Sequence, residues 1–391
     1  MNFLDEAKNL NQYMRTFRRD FHQHPELGFQ EFRTARAVSN ELESLGLETR
    51  IGIGKTGVVA LLEGIAPGPV ILLRFDMDAL PIQEETGVEY ASANTGVMHA
   101  CGHDGHIAVG LAVARLLHSH RTELKGTIKF MFQPAEEGLG GADAMLHDGV
   151  LEDPMPNYAL ALHLWNEKPL GWFGISDGSF MAGAEIFKLK VMGKGGHGAQ
   201  PHLTVDPVLT SAQIINALQS IVARNVSPIH SAVISVTSIH GGVTFNVIPS
   251  IVEMQGTIRT NGQGVRGIVL DRIKQIIDGV ASAMGCQAEL EIKHLTPAVV
   301  NDPRVSGMVR ETASILFPEF QIDSTFSTMV SEDMAFIMQK IPGCFFFIGS
   351  ANSDKGLNAP HHHPRFDFDE ETMVCAAALM SASAVKLLNI G

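Results

Sequence analysis

Five short and almost wholly apolar runs set the terms on which this chain can fold: VVALLEG (58–64), VILLRF (70–75), GTIKFMF (126–132), YALALHLW (158–165) and CFFFIGS (344–350). A strand with one solvated face alternates apolar and polar residues. Runs without that alternation belong to strands covered on both faces, as in the parallel sheets of α/β proteins. Residues 5–21 and 32–46 have the spacing of amphipathic helices, and IAVGLAVARLLHSH (107–120) reads as a mostly apolar helix between two of the strands. The expected fold is therefore α/β, a doubly wound mixed sheet.

Between about 184 and 295 the texture changes. A strand (185–193), a helix opening at Asp206-Pro207, two strands (232–240 and 250–260), a second helix (265–285) and a last strand (288–295) follow one another. That β-α-β-β-α-β order is the split βαβ, ferredoxin-like pattern, a small sheet with helices on one face. After about 296 the α/β pattern returns, so the expectation is a large domain of residues 1–183 and 296–391 with a smaller one, 184–295, inserted into it. A chain of 391 residues is long enough for two domains.

The formal charge of −13 argues against nucleic acid and anionic membrane surfaces as partners, since both attract basic proteins. No run approaches the 18 apolar residues of a membrane helix, and the acidic, non-apolar start of the chain does not read as a secretory signal. Cys101, Cys286, Cys344 and Cys375 lack framework spacing, which fits a reducing compartment and a cytoplasmic location.

In an open α/β sheet, ligands bind beyond the carboxyl ends of the parallel strands. The unusual residues fall there. VILLRF runs into Asp76-Met77-Asp78; GTIKFMF into QPAEEG, with Glu136 and Glu137 adjacent; YALAL into His163 and Trp165; and PHHHPRF follows CFFFIGS. The stretch MHACGHDGH (98–106) packs a cysteine, three histidines and an aspartate into nine residues just before the apolar helix. Each group alone has an ordinary structural explanation: a capped turn, a solvated loop, a core histidine. Their recurrence at one sheet edge does not. Cys101 is either an attacking nucleophile or a metal ligand. Two glycine strings, Gly52–Gly57 and Gly193–Gly198, fit a dinucleotide pattern, but no helix follows either one directly, so both are turns.

RRDFHQHPELGFQE (18–31), RFDMDALP (74–81), HACGHDGH (99–106), QPAEEG (133–138), ALHLW (161–165), GKGGHGAQPH (193–202), GGVTFNVIPS (241–250), GTIRT (256–260) and HHPRFDFDE (362–370) occur in order along nearly the whole chain. Together they resemble the M20 metallopeptidase/amidohydrolase family, in its branch of N-acyl-amino-acid amidohydrolases, hippurate hydrolases and auxin-conjugate hydrolases. The resemblance implies two divalent metal ions (Zn, Mn, Co or Ni), a bridging Cys101 thiolate, and His103, Glu137, His163 and His362 as further ligands. It implies Glu136 as general base and Asp78 as a residue that orients a ligand. Asp76 stays outside the ligand set, and His22 and His106 are structural. His362 is chosen over His361 and His363 by its spacing to Pro364 and Phe366.

In the inserted domain the resemblance implies His197 as the group that stabilises the oxyanion and Asn246 and Arg259 as substrate contacts. A guanidinium fork suits a substrate α-carboxylate. A domain with this role closes over the metals as a lid and pairs two chains into a homodimer. The activity implied is hydrolysis of N-acyl-amino acids to a carboxylic acid and a free amino acid. The same fold also serves carboxypeptidases and dipeptidases, and an idle metal-containing binding protein is a third reading.

Overall fold

The computed structural model describes residues 1–390. It divides into two compact units, one of Met1–Phe180, Val300–Ser327 and the chain from Asp333 on, the other of Met181–Val299 and Thr328–Glu332. The division falls a few residues from the positions expected, and a short later segment joins the second unit.

The first unit is built on an eight-stranded mixed sheet, in the order Glu48–Ile53, Gly57–Glu63, Lys125–Gln133, Ala66–Asp76, Tyr158–Pro169, Gly343–Ala351, Trp172–Gly174, Gln321–Asp323. The four central strands, Lys125–Gln133 through Gly343–Ala351, run parallel. Antiparallel neighbours flank them on both sides. Register explains the unbroken apolar runs. Leu73 pairs with Phe130 and Leu160, and these point into a large cluster shared with the helices Asn11–Gln23, His103–Ser119 and Thr372–Leu388. The alternate residues Arg74, Met131 and Ala161 face the other way and are fully buried too. On that side Asp333, just ahead of the short helix Ala335–Met338, accepts from Gln133 and from the backbone of Ala142 in the helix Gly141–His147.

The helix His103–Ser119 carries two glycines that its propensity disfavours by ~1 kcal/mol each. Packing requires them. A Cβ on Gly110 would stand 2.7 Å from the Phe75 ring and 2.8 Å from the Phe132 ring; one on Gly105 would meet Phe368 at 2.6 Å and Leu164 at 2.9 Å. The helix can therefore lie close against the strand ends that carry Asp76 and Gln133.

The second unit has a four-stranded antiparallel sheet in the order Ala232–Gly241, Ile251–Thr260, Gly183–Met192, Gln287–Thr296. The helices Pro207–Arg224 and Gln263–Ala283 close a separate apolar core on one face, with Phe187, Leu218, Ile258, Val269 and Ile273 inside. On the opposite face Lys190 stands between Glu253 and Glu289, and Lys188 between Gln255 and Glu291. Opposite charges across strands stabilise such a solvated face. Both glycine strings are turns: the first joins the hairpin strands Glu48–Ile53 and Gly57–Glu63, the second leads from Gly183–Met192 into the two-residue strand Gly196–His197.

Replacing Gly110 with Val is expected to lower stability by about 1–3 kcal/mol through overpacking against Phe75 and Phe132. Chemical denaturation of the two proteins measures this, and an unchanged midpoint would show that the helix does not need the glycine.

Candidate metal centre

The donors arrive from four separate segments. Gly102, with φ 85°, ends the loop that follows the strand Ala66–Asp76 and lets the helix start at His103, leaving Cys101 at the helix mouth. Glu136 and Glu137 sit in the turn after Lys125–Gln133, and His163 lies within Tyr158–Pro169 opposite Phe347. His362, itself in the left-handed region at φ 63°, is tied to the cysteine loop by its N–H donating to the Ala100 carbonyl at 2.8 Å.

These segments converge. Cys101, His103 and His163 each place one donor atom within 4.8 Å of the others; so do Cys101, Glu137 and His362, and so do His103, Glu136 and Glu137. The Cys101 sulfur is common to the first two sets, the arrangement a sulfur shared by two ions requires. It lies 3.4 Å from Nε2 of His163, and Nε2 of His362 is 3.1 Å from Oε1 of Glu137.

Neighbouring groups fix which atoms face the cluster. His103 donates from Nδ1 to the Asp78 carbonyl at 2.9 Å, and His163 donates from Nδ1 to the Leu164 carbonyl at 2.7 Å, so each presents the lone pair of Nε2. This is how metal-ligating imidazoles are ordinarily held. Nε2 of His103 is buried and, among the described residues, has no hydrogen-bond partner, while Oε1 of Glu137 faces Nε2 of His362. Burial pushes the Cys101 thiol well above its ordinary pKa, and the Glu137, Glu136 and Asp76 carboxylates push it further in the same direction. Sulfur, imidazole and carboxylate donors gathered in this way fit a divalent cation, which would reverse that preference.

The other expected residues fall as follows. Asp76 also lies close to His103 and His106, but it accepts from Nδ1 of His106 at 2.6 Å and from Arg74 at 2.7 Å. Nε2 of His106 in turn accepts from the Leu164 N–H at 2.9 Å. Neither ring nitrogen of His106 has a lone pair to spare. Asp78 holds His103 through its carbonyl and the Glu137 N–H through its carboxylate at 3.1 Å. Among the three consecutive histidines, His361 uses Nε2 to accept from the Asn166 N–H and lies against Trp165, while His363 accepts from the Arg365 N–H. Only His362 has its ring nitrogen turned to Glu137.

Arg18 was legible in the sequence only as part of an amphipathic helix. It is fully buried, donating to Asp104 at 2.8 Å, Asp367 at 2.7 Å and Glu370 at 3.4 Å. Asp104 follows His103 and the other two follow His362, so one guanidinium ties together two donor-bearing segments. The sequence has no signal for this, because an arginine on a polar helix face is ordinarily solvated.

In the second unit His197 is exposed on its two-residue strand, paired with Val247, and Nδ1 accepts from the Ala199 N–H. The Asn246 carbonyl accepts from Gly198, and its side-chain oxygen from the Thr244 hydroxyl. Arg259 is half-buried, donates to the Thr257 hydroxyl and the Ile258 carbonyl, and makes no ion pair among the described residues. The surface salt bridge that would otherwise explain an arginine there is thus missing.

A parallel α/β core with these donors gathered at its carboxyl edge defines a metallohydrolase. More narrowly, the chain belongs to Peptidase family M20/M25/M40, whose profile matches residues 72–385. It is 39% identical to N-acetylcysteine deacetylase of Bacillus subtilis strain 168, over 95% of this chain and 96% of that one. It is 38% identical to thermostable carboxypeptidase 1 of Saccharolobus solfataricus, over 98% of both. The crystal structure of the YXEP protein of Bacillus subtilis, described as a dinuclear metal-binding peptidase of the M20 family, superposes with a TM-score of 0.86 at 36% identity, covering 97% of this chain and 99% of that one. The protein is accordingly a metal-dependent hydrolase of the M20 group.

A raised thiol pKa opposes nucleophilic reactivity. In metal-free folded protein, iodoacetamide at pH 8 is expected to modify Cys101 far more slowly than in the same protein unfolded in urea, by mass spectrometry of the tryptic peptides. Fast alkylation of the folded protein at neutral pH would identify an activated nucleophile instead.

Proposed function

We propose that this protein hydrolyses the amide bond of N-acyl-amino acids, with Cys101, His103, Glu137, His163 and His362 holding two divalent cations. The observation that carries the reading is the convergence of three overlapping donor sets, one of which includes Glu136 beside the ligand Glu137. Zn, Mn, Co or Ni bound there would acidify a water and polarise the scissile carbonyl. Both glutamates reach the set with His103, and of the two Glu137 alone also joins the set with Cys101 and His362, so Glu137 serves as ligand and Glu136 as base. Its carboxylate takes a proton from the attacking water and delivers it to the amide nitrogen as the amine leaves.

In the second unit, His197 stabilises the oxyanion, and Asn246 with Arg259 recognises the α-carboxylate of the amino acid. Arg259, which engages no carboxylate among the described residues, supports this. The deacetylase relative supports an N-acyl substrate. The carboxypeptidase relative favours a second reading, cleavage of a free peptide, which shares the carboxylate anchor and needs a place for an α-amino group.

A cytoplasmic location and a homodimer complete the proposal. All four cysteines are unpaired, and among the described residues no helix is long and apolar enough to cross a membrane. The strand Ala232–Gly241 is at a sheet edge with Val233 and Ile239 exposed, and such an edge can pair with a second copy.

Glu136→Gln is expected to keep the wild-type metal content and lose nearly all turnover, on the order of a thousandfold or more. Benzoyl-glycine is expected to be cleaved faster than a free dipeptide. Substantial activity in the Gln variant contradicts the base assignment; preference for the dipeptide favours the second reading.

A further inference from the structure

Glu31 closes the motif HPELGFQE, a stretch to which the proposed chemistry assigns no task. Its side chain is fully buried at the start of the helix Phe32–Ser44. One oxygen, Oε1, accepts the N–H of Ala135 at 2.9 Å; the other accepts the hydroxyl of Thr56. Ala135 is the residue before Glu136, and its φ of 53° lies in the left-handed region that an L-residue with a Cβ avoids. Such a conformation persists only where its surroundings impose it.

The surroundings here are specific. The Ala135 carbonyl accepts from Gly141 at 3.0 Å, so this residue is held on both sides. On the far side of Glu136, the N–H of Glu137 donates to the Asp78 carboxylate at 3.1 Å. Glu136 thus stands between two backbone amides, each gripped by a carboxylate from another part of the chain. The same motif contributes a second feature. A Cβ on Gly28 would stand 3.1 Å from both Cα and Cβ of Ala135 and 2.8 Å from Leu139, so the turn beds directly against this segment.

We infer that Glu31 is a positioning residue for the general base: by holding the Ala135 amide it fixes the left-handed turn that aims the Glu136 carboxylate. The inference rests on the reading of Glu136 as base. It predicts a division of labour between the two carboxylates at this turn, with Glu136 moving the proton and Glu31 setting where that proton is met.

The test is steady-state kinetics on metal-loaded protein with the fastest N-acyl-amino acid substrate, beside metal content and thermal midpoint. Glu31→Ala should lower kcat by about ten- to a hundredfold, the scale of a misplaced catalytic group, while KM and metal content stay within about twofold. Glu31→Gln keeps an acceptor oxygen for the Ala135 N–H and should recover most of kcat. Glu31→Asp withdraws the acceptor by one methylene and should fall with the Ala variant. A purely structural role would shift the thermal midpoint and leave kcat per folded, metal-loaded chain alone, and that result overturns the inference. Should the Ala variant not fold, equal kcat in the Gln and Asp variants overturns it equally. Glu136→Gln is measured alongside. If that variant turns over, the base assignment falls and takes this inference with it; if it is inert while Glu31→Ala runs at the full rate, only the positioning role fails.

Discussion

The structure depends on how acidic groups are matched at a dry sheet edge. Burial alone raises a carboxyl pKa, and several carboxylates are buried here within a few residues of one another. Burial pushes Asp76 upward, yet His103, His106 and Arg74 outweigh it and hold the group well below its ordinary value. Asp104 is likewise pushed up by burial and pulled further down by Arg18 and His22. These carboxylates are matched by donors of the chain itself, Asp76 by Arg74 and the His106 ring, Asp104 by Arg18 and the His22 ring. Cys101 is not: the carboxylates around it oppose its ionisation, and the proposed metal ions would supply the positive charge that a thiolate needs.

That imbalance separates scaffold from centre. Side chains whose hydrogen-bonding atoms are consumed internally, such as Asp76, His106 and Arg18, set the shape of the edge. Side chains held by one end and open at the other, such as His103 and His163, present lone pairs to it. In the proposed site the Cys101 sulfur is shared, which would let two ions be served by five donors. A mixed set of sulfur, nitrogen and oxygen donors suits borderline ions and does not choose among them strongly, so metal availability decides occupancy.

Much of this was legible in the sequence for physical reasons. Strands buried on both faces must be apolar throughout, so VILLRF and GTIKFMF announced themselves, and the end of a parallel strand is where a polar residue has a use. The split βαβ order of the second unit followed from the change in periodicity. What could not be read was set by contacts distant in the chain. Only the spacing to Pro364 and Phe366 marked His362 over His361; in the fold the Asn166 amide occupies Nε2 of His361, whose Nδ1 lies 3.9 Å from the Cys101 sulfur, and His362 faces Glu137. Arg18 and Glu31 looked like ordinary polar residues of a helix and its start, and only the fold shows that both are wholly buried. The segment Thr328–Glu332 joins the second unit through tertiary contacts that no composition shift marks.

The central claim is that four segments of one chain surround a pair of cations sharing the Cys101 sulfur. Anomalous diffraction from crystals grown with Zn or Mn, recorded on either side of the metal absorption edge, tests it most directly. Two peaks are predicted, both in contact with Cys101, with His103, Glu137, His163 and His362 completing the coordination and His361 outside it. A single peak, a peak bound by His361 in place of His362, or no peak within reach of Cys101 and Glu137 would contradict the account.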